Sequence, residues 1–123
     1  VYKIFLLLGS INAFLSVALG AFGAHILKSR IPANMLANYE TGVQYHMAHA
    51  LGLILVAILA DKLGQGGLIT WAGWALFIGI IFFSGSLYVM ALTGVRTLGA
   101  ITPIGGMAFL TGWILLAVSA FRS

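Results

Sequence analysis

The sequence contains no cysteine, only two prolines, and only two acidic residues, Glu40 and Asp61. Without thiols there is no disulfide, no thiolate nucleophile and no thiolate metal site, and the redox compartment stays open. Charged residues make up 7% of the chain and hydrophobic residues 62%, against about 25% and about 45–50% in an ordinary soluble domain. So few charges cannot wet the surface of a folded, water-soluble protein of 123 residues. No basic run occurs, so the net charge of +4 leaves no electrostatic footprint for nucleic acid. Nearness to anionic lipid head groups is the simpler reading of that charge.

What is present is apolar length. The charges divide the chain into uncharged runs at 4–27, 41–60, 63–95 and 97–121, each reaching the roughly 20 residues that cross a hydrocarbon core about 30 Å thick. Lipid offers the backbone no hydrogen-bond partner, so a spanning segment is a helix or part of a closed barrel. The runs lack the alternation of barrel strands. An all-α integral membrane four-helix bundle follows, one transmembrane domain over 1–123 with helices near 3–25, 32–60, 68–92 and 103–122. Lys3 ahead of an apolar stretch has the outline of a signal peptide, but Ile4 to Ala24 exceeds the usual h-region of about 7–15 residues and is read as a span.

Small residues recur along the first helix at Gly9, Ala13, Ser16, Gly20 and Ala24, a pattern that lets another backbone approach closely. Asn12 sits mid-span and needs a partner across a helix interface. Pro32 suits position N1 of the second helix, with Thr41 and Gly42 as a candidate bend. Asp61, Lys62 and the glycines of LGQGG form a turn, and Trp71 and Trp74 open the third helix near the interface. Two starts fit the fourth helix: a cap at Thr102 with Pro103 at N1, or a start at Leu98 with a kink at Pro103. The capped start is preferred, with LGAI as an irregular lead-in. The glycines of the last two helices, Gly73, Gly79, Gly85, Gly105 and Gly112, exceed the apparent needs of one bundle. Homo-oligomerisation is therefore expected.

Four spans place both termini on one side. Lys3, Lys62 and Arg122 lie there; Lys28, Arg30 and Arg96 lie on the other side, as candidate head-group contacts. The positive-inside count is tied; a short tail bearing an amine and Lys3 is easier to retain than to export, which puts the termini in the cytoplasm. Away from the termini gather His25, Glu40, Gln44, Tyr45, His46, His49, Ser84, Ser86, Tyr88 and Thr102. Tyr45 and His49, and Glu40 and Gln44, are one helical turn apart. Polar groups within a membrane turn to the bundle interior or to a cavity, so these residues predict a polar pocket at one mouth of the bundle. The plainer alternative is that they bond carbonyls and head groups at the interface.

The segments GAFGAH at 20–25, TGVQYHMAHAL at 41–51, FSGSLYVMALTG at 83–94 and LGAITPIGG at 98–106 resemble the YgdD/YwdK-like family of small bacterial membrane proteins, a domain of unknown function. The likeness covers essentially the whole chain. It implies a four-helix protein of the bacterial cytoplasmic membrane and brings no catalytic residue with it. Ile31 stands where the family pattern has serine before Pro32.

Several functions compete. Imidazole suits zinc, iron and copper, but His-x-x-His on one helix is a common accident and the Glu-x-x-His pairs of di-iron bundles are absent; no metal, haem or other cofactor is expected. No Gly-x-Ser-x-Gly elbow or His-Glu-x-x-His stretch occurs, so no enzyme is expected. A permease needs an ionisable group inside the membrane; here it would rely on histidine titration and several assembled copies. The reading adopted is a non-catalytic helical module that binds membrane lipids or a partner membrane protein and supports membrane integrity. Its packing faces are taken to include Gly20, Ala24, Gly85, Gly105 and Gly112.

Overall fold

A computed structural model describes residues 2–63 and 66–122. Gly64 and Gln65, the centre of the expected LGQGG turn, lie outside the described residues. The first span is α1 (Tyr2–His25) and the second is α2 (Ala33–Leu63). The third comprises α3 (Gly67–Gly79), a π turn (Ile80–Ser84) and α4 (Gly85–Thr93), and the fourth is α5 (Thr102–Arg122). All four are long and apolar enough to cross a membrane. At about 1.5 Å per residue, the 31 residues of α2 reach well beyond a hydrocarbon core of about 30 Å.

Most ends fall within a few residues of expectation. Asp61 and Lys62 belong to the last turn of α2 rather than to the loop. Pro32 sits one position before the place expected of it: its carbonyl accepts the first helical bond, from Leu36 N–H at 2.9 Å. Thr102 is not the cap of α5; the Ile101 carbonyl accepts from Ile104 N–H at 3.0 Å, and Thr102 is already helical. Its lead-in is regular, a 3-10 turn over Arg96–Ala100. Thr41 and Gly42 make no break in α2, because the Thr41 hydroxyl bonds the Ala37 carbonyl at 3.0 Å within an unbroken helix.

The second span is the centre of the bundle. It packs along α1 on one flank and along α3, the π turn and α4 on another, while α5 packs chiefly against α3. Two apolar clusters fill the interior. One, toward the chain termini, joins Phe5, Leu53, Val56, Ala57, Ile69, Ala72, Leu76, Ile80, Phe109 and Leu116. The other, at the opposite end, joins Leu27, Met35, Tyr39, Leu87, Met90 and Ala91.

Glycines set how closely the helices meet. A Cβ on Gly112 would lie 2.7 Å from the Leu76 side chain, and one on Gly73 2.5 Å from the Phe5 ring. At Gly79 the obstacle is the Phe109 ring. At Gly105 it is backbone: the Phe83 nitrogen, then the Phe82 carbonyl carbon and the Phe83 Cα, both at 2.7 Å. Four of the five glycines that looked surplus, all but Gly85, thus serve packing inside one chain, which removes their support for an oligomer. Gly20 packs against Val43 at 3.2 Å, but Ala24 is exposed and Gly23 takes its place beside Tyr39. Gly85 faces only the carbonyl of Ile80, in its own π turn.

Candidate functional site: a polar layer and an aromatic groove

Between the two apolar clusters lies a layer of hydrogen-bonded polar side chains. Asn12 is near the middle of α1, and His46 and His49 flank the middle of α2. They are deeper than the mouth suggested by the sequence. Both histidines are buried, at 3% and 6% exposure.

The partners of each ring fix its tautomer. Asn12 donates from Nδ2 to the Leu8 carbonyl at 2.8 Å, which leaves Oδ1 as an acceptor for His46 Nε2, also at 2.8 Å. His46 therefore carries its proton on Nε2, and Nδ1 accepts from the Tyr88 hydroxyl at 2.9 Å. One histidine in this way ties three spans together. His49 has the opposite arrangement. The Trp113 indole N–H, which can only donate, gives to His49 Nε2 at 2.9 Å. Nδ1 must then carry the proton, and it donates to the Tyr45 carbonyl at 2.7 Å. Two neutral imidazoles of opposite tautomer stand one turn apart, each with both nitrogens engaged.

Serines close the rest of the layer. Ser84 donates to the Gly42 carbonyl at 2.8 Å, joining the π turn to α2. Ser86 bonds the Phe83 carbonyl at 2.9 Å, and its oxygen lies 2.6 Å from Thr102 Oγ1. Tyr39 donates to the Leu19 carbonyl at 2.6 Å and packs 5.2 Å from the Tyr88 ring. Ser16, 1% exposed, has a hydroxyl without a hydrogen-bond partner.

The sequence-derived set therefore separates. His46 with Tyr88, His49, and Ser84, Ser86 and Thr102 enter this layer, whereas Tyr45 contributes only its backbone carbonyl and its side chain is exposed. His25, Glu40 and Gln44 are exposed and lie outside it, as do Lys28, Arg30 and Arg96. Among the described residues, no group of three or more His, Cys, Asp and Glu side chains is placed to hold a metal ion. Sequence reasoning left Asn12 out of the pocket, and it missed Trp113 and Phe109. Signals existed for two of them: an amide mid-span, and an indole far from either end of its helix, both in need of a partner.

The His49 ring also forms the floor of a lateral groove between the second and fourth spans. Phe109 stacks on it at 3.5 Å between centroids and 10° between planes. The groove encloses about 460 Å³ and is walled by Tyr45, Phe83, Met107, Leu110 and Trp113. Tyr45 lies 4.7 Å from Phe83. Its polar floor atoms are paired with one another, so the lining offers an occupant mainly carbon.

Four apolar helices around a hydrogen-bonded core define a multi-pass membrane protein. The family model described as a protein of unknown function, DUF423, matches residues 19–106, and the chain belongs to that family. It is similar to the UPF0382 membrane protein YwdK of Bacillus subtilis, 57% identical over 120 residues covering 98% of each chain. It is also similar to UPF0382 membrane proteins of Staphylococcus saprophyticus and Staphylococcus haemolyticus, each 46% identical over 98% of this chain and 98% and 97% of theirs. No solved structure matches it.

Proposed function

We propose that this membrane protein is a non-catalytic helical module of the bacterial cytoplasmic membrane that holds the acyl chain of a lipid in the groove between the second and fourth spans, and so supports membrane integrity. The observation that carries this reading is the groove itself. Its volume of about 460 Å³ lies within the roughly 300–1,000 Å³ of small-molecule sites, which are likewise mostly apolar. It opens sideways, where Met107 and Leu110 are 64% and 59% exposed, so a lipid enters without leaving the bilayer.

Catalysis has less to work with. Both ring nitrogens of His46 and of His49 are engaged within the protein, and Glu40 and Asp61 are exposed and are the hydrogen-bond partners of neither ring. In a permease driven by histidine titration, protonating His49 would break the bond that its Nε2 accepts from Trp113, and protonating His46 would require the Tyr88 hydroxyl to turn from donor to acceptor.

The test is gentle extraction followed by native mass spectrometry. Wild type should retain a stoichiometric lipid. Gly106→Leu, which fills the groove from a position where a Cβ meets nothing nearer than the Phe83 ring at 3.9 Å, should lose it while staying folded. A wild type without lipid, or equal retention by the variant, defeats the proposal. Retention of a protein in place of lipid would move the reading to a partner membrane protein.

A further inference from the structure

A second concavity lies on the other flank of α2, against the C-terminal part of α1. It encloses about 330 Å³ and is lined by Gly20, Gly23, Tyr39, Glu40, Val43 and Gln44. None of the aromatic residues of the lateral groove lines it. The Tyr39 ring packs directly on the backbone of Gly23, where a Cβ would stand 2.5 Å from it, and so bounds the cleft.

The walls share one electrostatic preference. Tyr39 is 1% exposed, and its hydroxyl is held by the Leu19 carbonyl, so its ring is a fixed wall. Glu40 and Gln44, both exposed, are one turn apart and place a carboxylate and an amide oxygen on one rim. The last turn of α1 ends at His25, and helix C-terminal carbonyls carry partial negative charge. Carboxylate, amide oxygen and helix end all favour a positive group. Immediately beyond α1, at the same end of the bundle, Lys28 and Arg30 are exposed and suit an anion.

We propose that this cleft binds the head group of a zwitterionic aminophospholipid, with the primary ammonium on Glu40 and Gln44 and the phosphate toward Lys28 and Arg30. A primary ammonium has three N–H donors for these acceptors; a trimethylammonium has none, so the site discriminates between ethanolamine and choline lipids of equal charge. This is separate from the acyl groove and stands or falls separately.

The experiment is a competition between phosphatidylethanolamine and phosphatidylcholine of identical acyl chains, read by native mass spectrometry of the full chain in detergent. Wild type should favour the ethanolamine lipid by about tenfold, the worth of one charge-assisted hydrogen bond. Glu40→Gln keeps the shape and should bring the two lipids to parity, as should Gln44→Lys, with unchanged size-exclusion profiles. Gly106→Leu should leave the preference intact, which separates this test from that of the groove. Excess glycerophosphoethanolamine should displace the lipid. Parity in wild type, or a preference that survives both variants, overturns the proposal. Displacement by ethanolamine alone at the same concentration overturns the lipid as occupant and assigns the cleft to free amines.

Discussion

Gly105 and Gly106 are adjacent on the fourth span, yet a methyl group added to one or to the other should have opposite effects. At Gly105 the new Cβ would stand 2.7 Å from both the Phe82 carbonyl carbon and the Phe83 Cα, and closer still to the Phe83 nitrogen, where ordinary contact is 3.4–4 Å. Those atoms are backbone in the π turn and cannot rotate away. The fourth span must retreat by roughly 0.7 Å or more, and that separation also loosens the contacts of Phe109 with Gly79 and of Leu76 with Gly112. Overpacking a core costs about 1–3 kcal/mol; a rigid obstacle places Gly105→Ala at the upper end, about 3 kcal/mol. At Gly106 the methyl meets only the Phe83 ring edge, at 3.9 Å. There the better helix propensity of alanine, up to about 1 kcal/mol, meets no opposing strain. The two variants should therefore differ by about 3–4 kcal/mol, or more than a hundredfold in the folding equilibrium. Steric trapping of unfolded protein in bicelles measures this directly. Equal stabilities for the two variants would refute the close contact at Gly105, and with it the packing of α5 on the π turn.

Other perturbations address the polar layer and the turns. Tyr88→Phe removes the donor to His46 Nδ1 and should cost about 0.6–2 kcal/mol, interhelical bonds in membranes lying toward the low end; the same unfolding assay measures it, and a variant as stable as wild type would contradict the bond. In protein labelled with ¹⁵N histidine, solid-state NMR should show the proton on Nε2 of His46 and on Nδ1 of His49; identical tautomers would contradict the assigned partners. Ser16→Ala removes a buried hydroxyl that has no partner, so it should raise stability by up to about 1 kcal/mol, and a clear loss would reveal a bond at that site. Gly94 has φ of +76° at the end of α4; Gly94→Ala should cost about 1 kcal/mol in the unfolding assay, and Gly94→Asn less.

The architecture was legible because lipid is an exacting solvent. Uninterrupted apolar runs bounded by charge permit only spanning helices, and the four runs correspond to the four spans. All eight charged residues are exposed in the structure, as their positions at turns and ends suggested. Helix ends were read less well at Thr102, where a hydroxyl suited to capping is instead paired with Ser86. Local capping rules weigh the residue against its own helix, and here a neighbouring helix offered the better partner.

The candidate site was legible in composition but not in depth. His46, His49 and Tyr88 stood out as polar residues in apolar runs. Counting from the charged ends placed them at a mouth, because the sequence does not say how far α2 projects beyond α1. His25 and Glu40, grouped with them by that count, are exposed at the bundle end. The π turn left no readable signal: Ile80 to Ser84 has the composition of any apolar helix, and the backbone of Gly105 that packs on it is more than twenty residues away in sequence.

The π turn gives the third span two phases. Each helical residue turns the chain by about 100°, so the extra residue held in the wide turn at Ile80–Ser84 sets every later side chain back by about that angle from where an unbroken α-helix of the same sequence would put it. The earlier half packs on both the fourth and the second spans, and the later half on the second. Winding the same residues as an unbroken α-helix would turn Ser86 and Tyr88 away from Thr102 and His46, whereas deleting one residue within Ile80–Ser84 would leave the later half facing as it does. The wide turn therefore sets which side chains of the third span reach the polar layer, although none of the bonds to His46 is made within it.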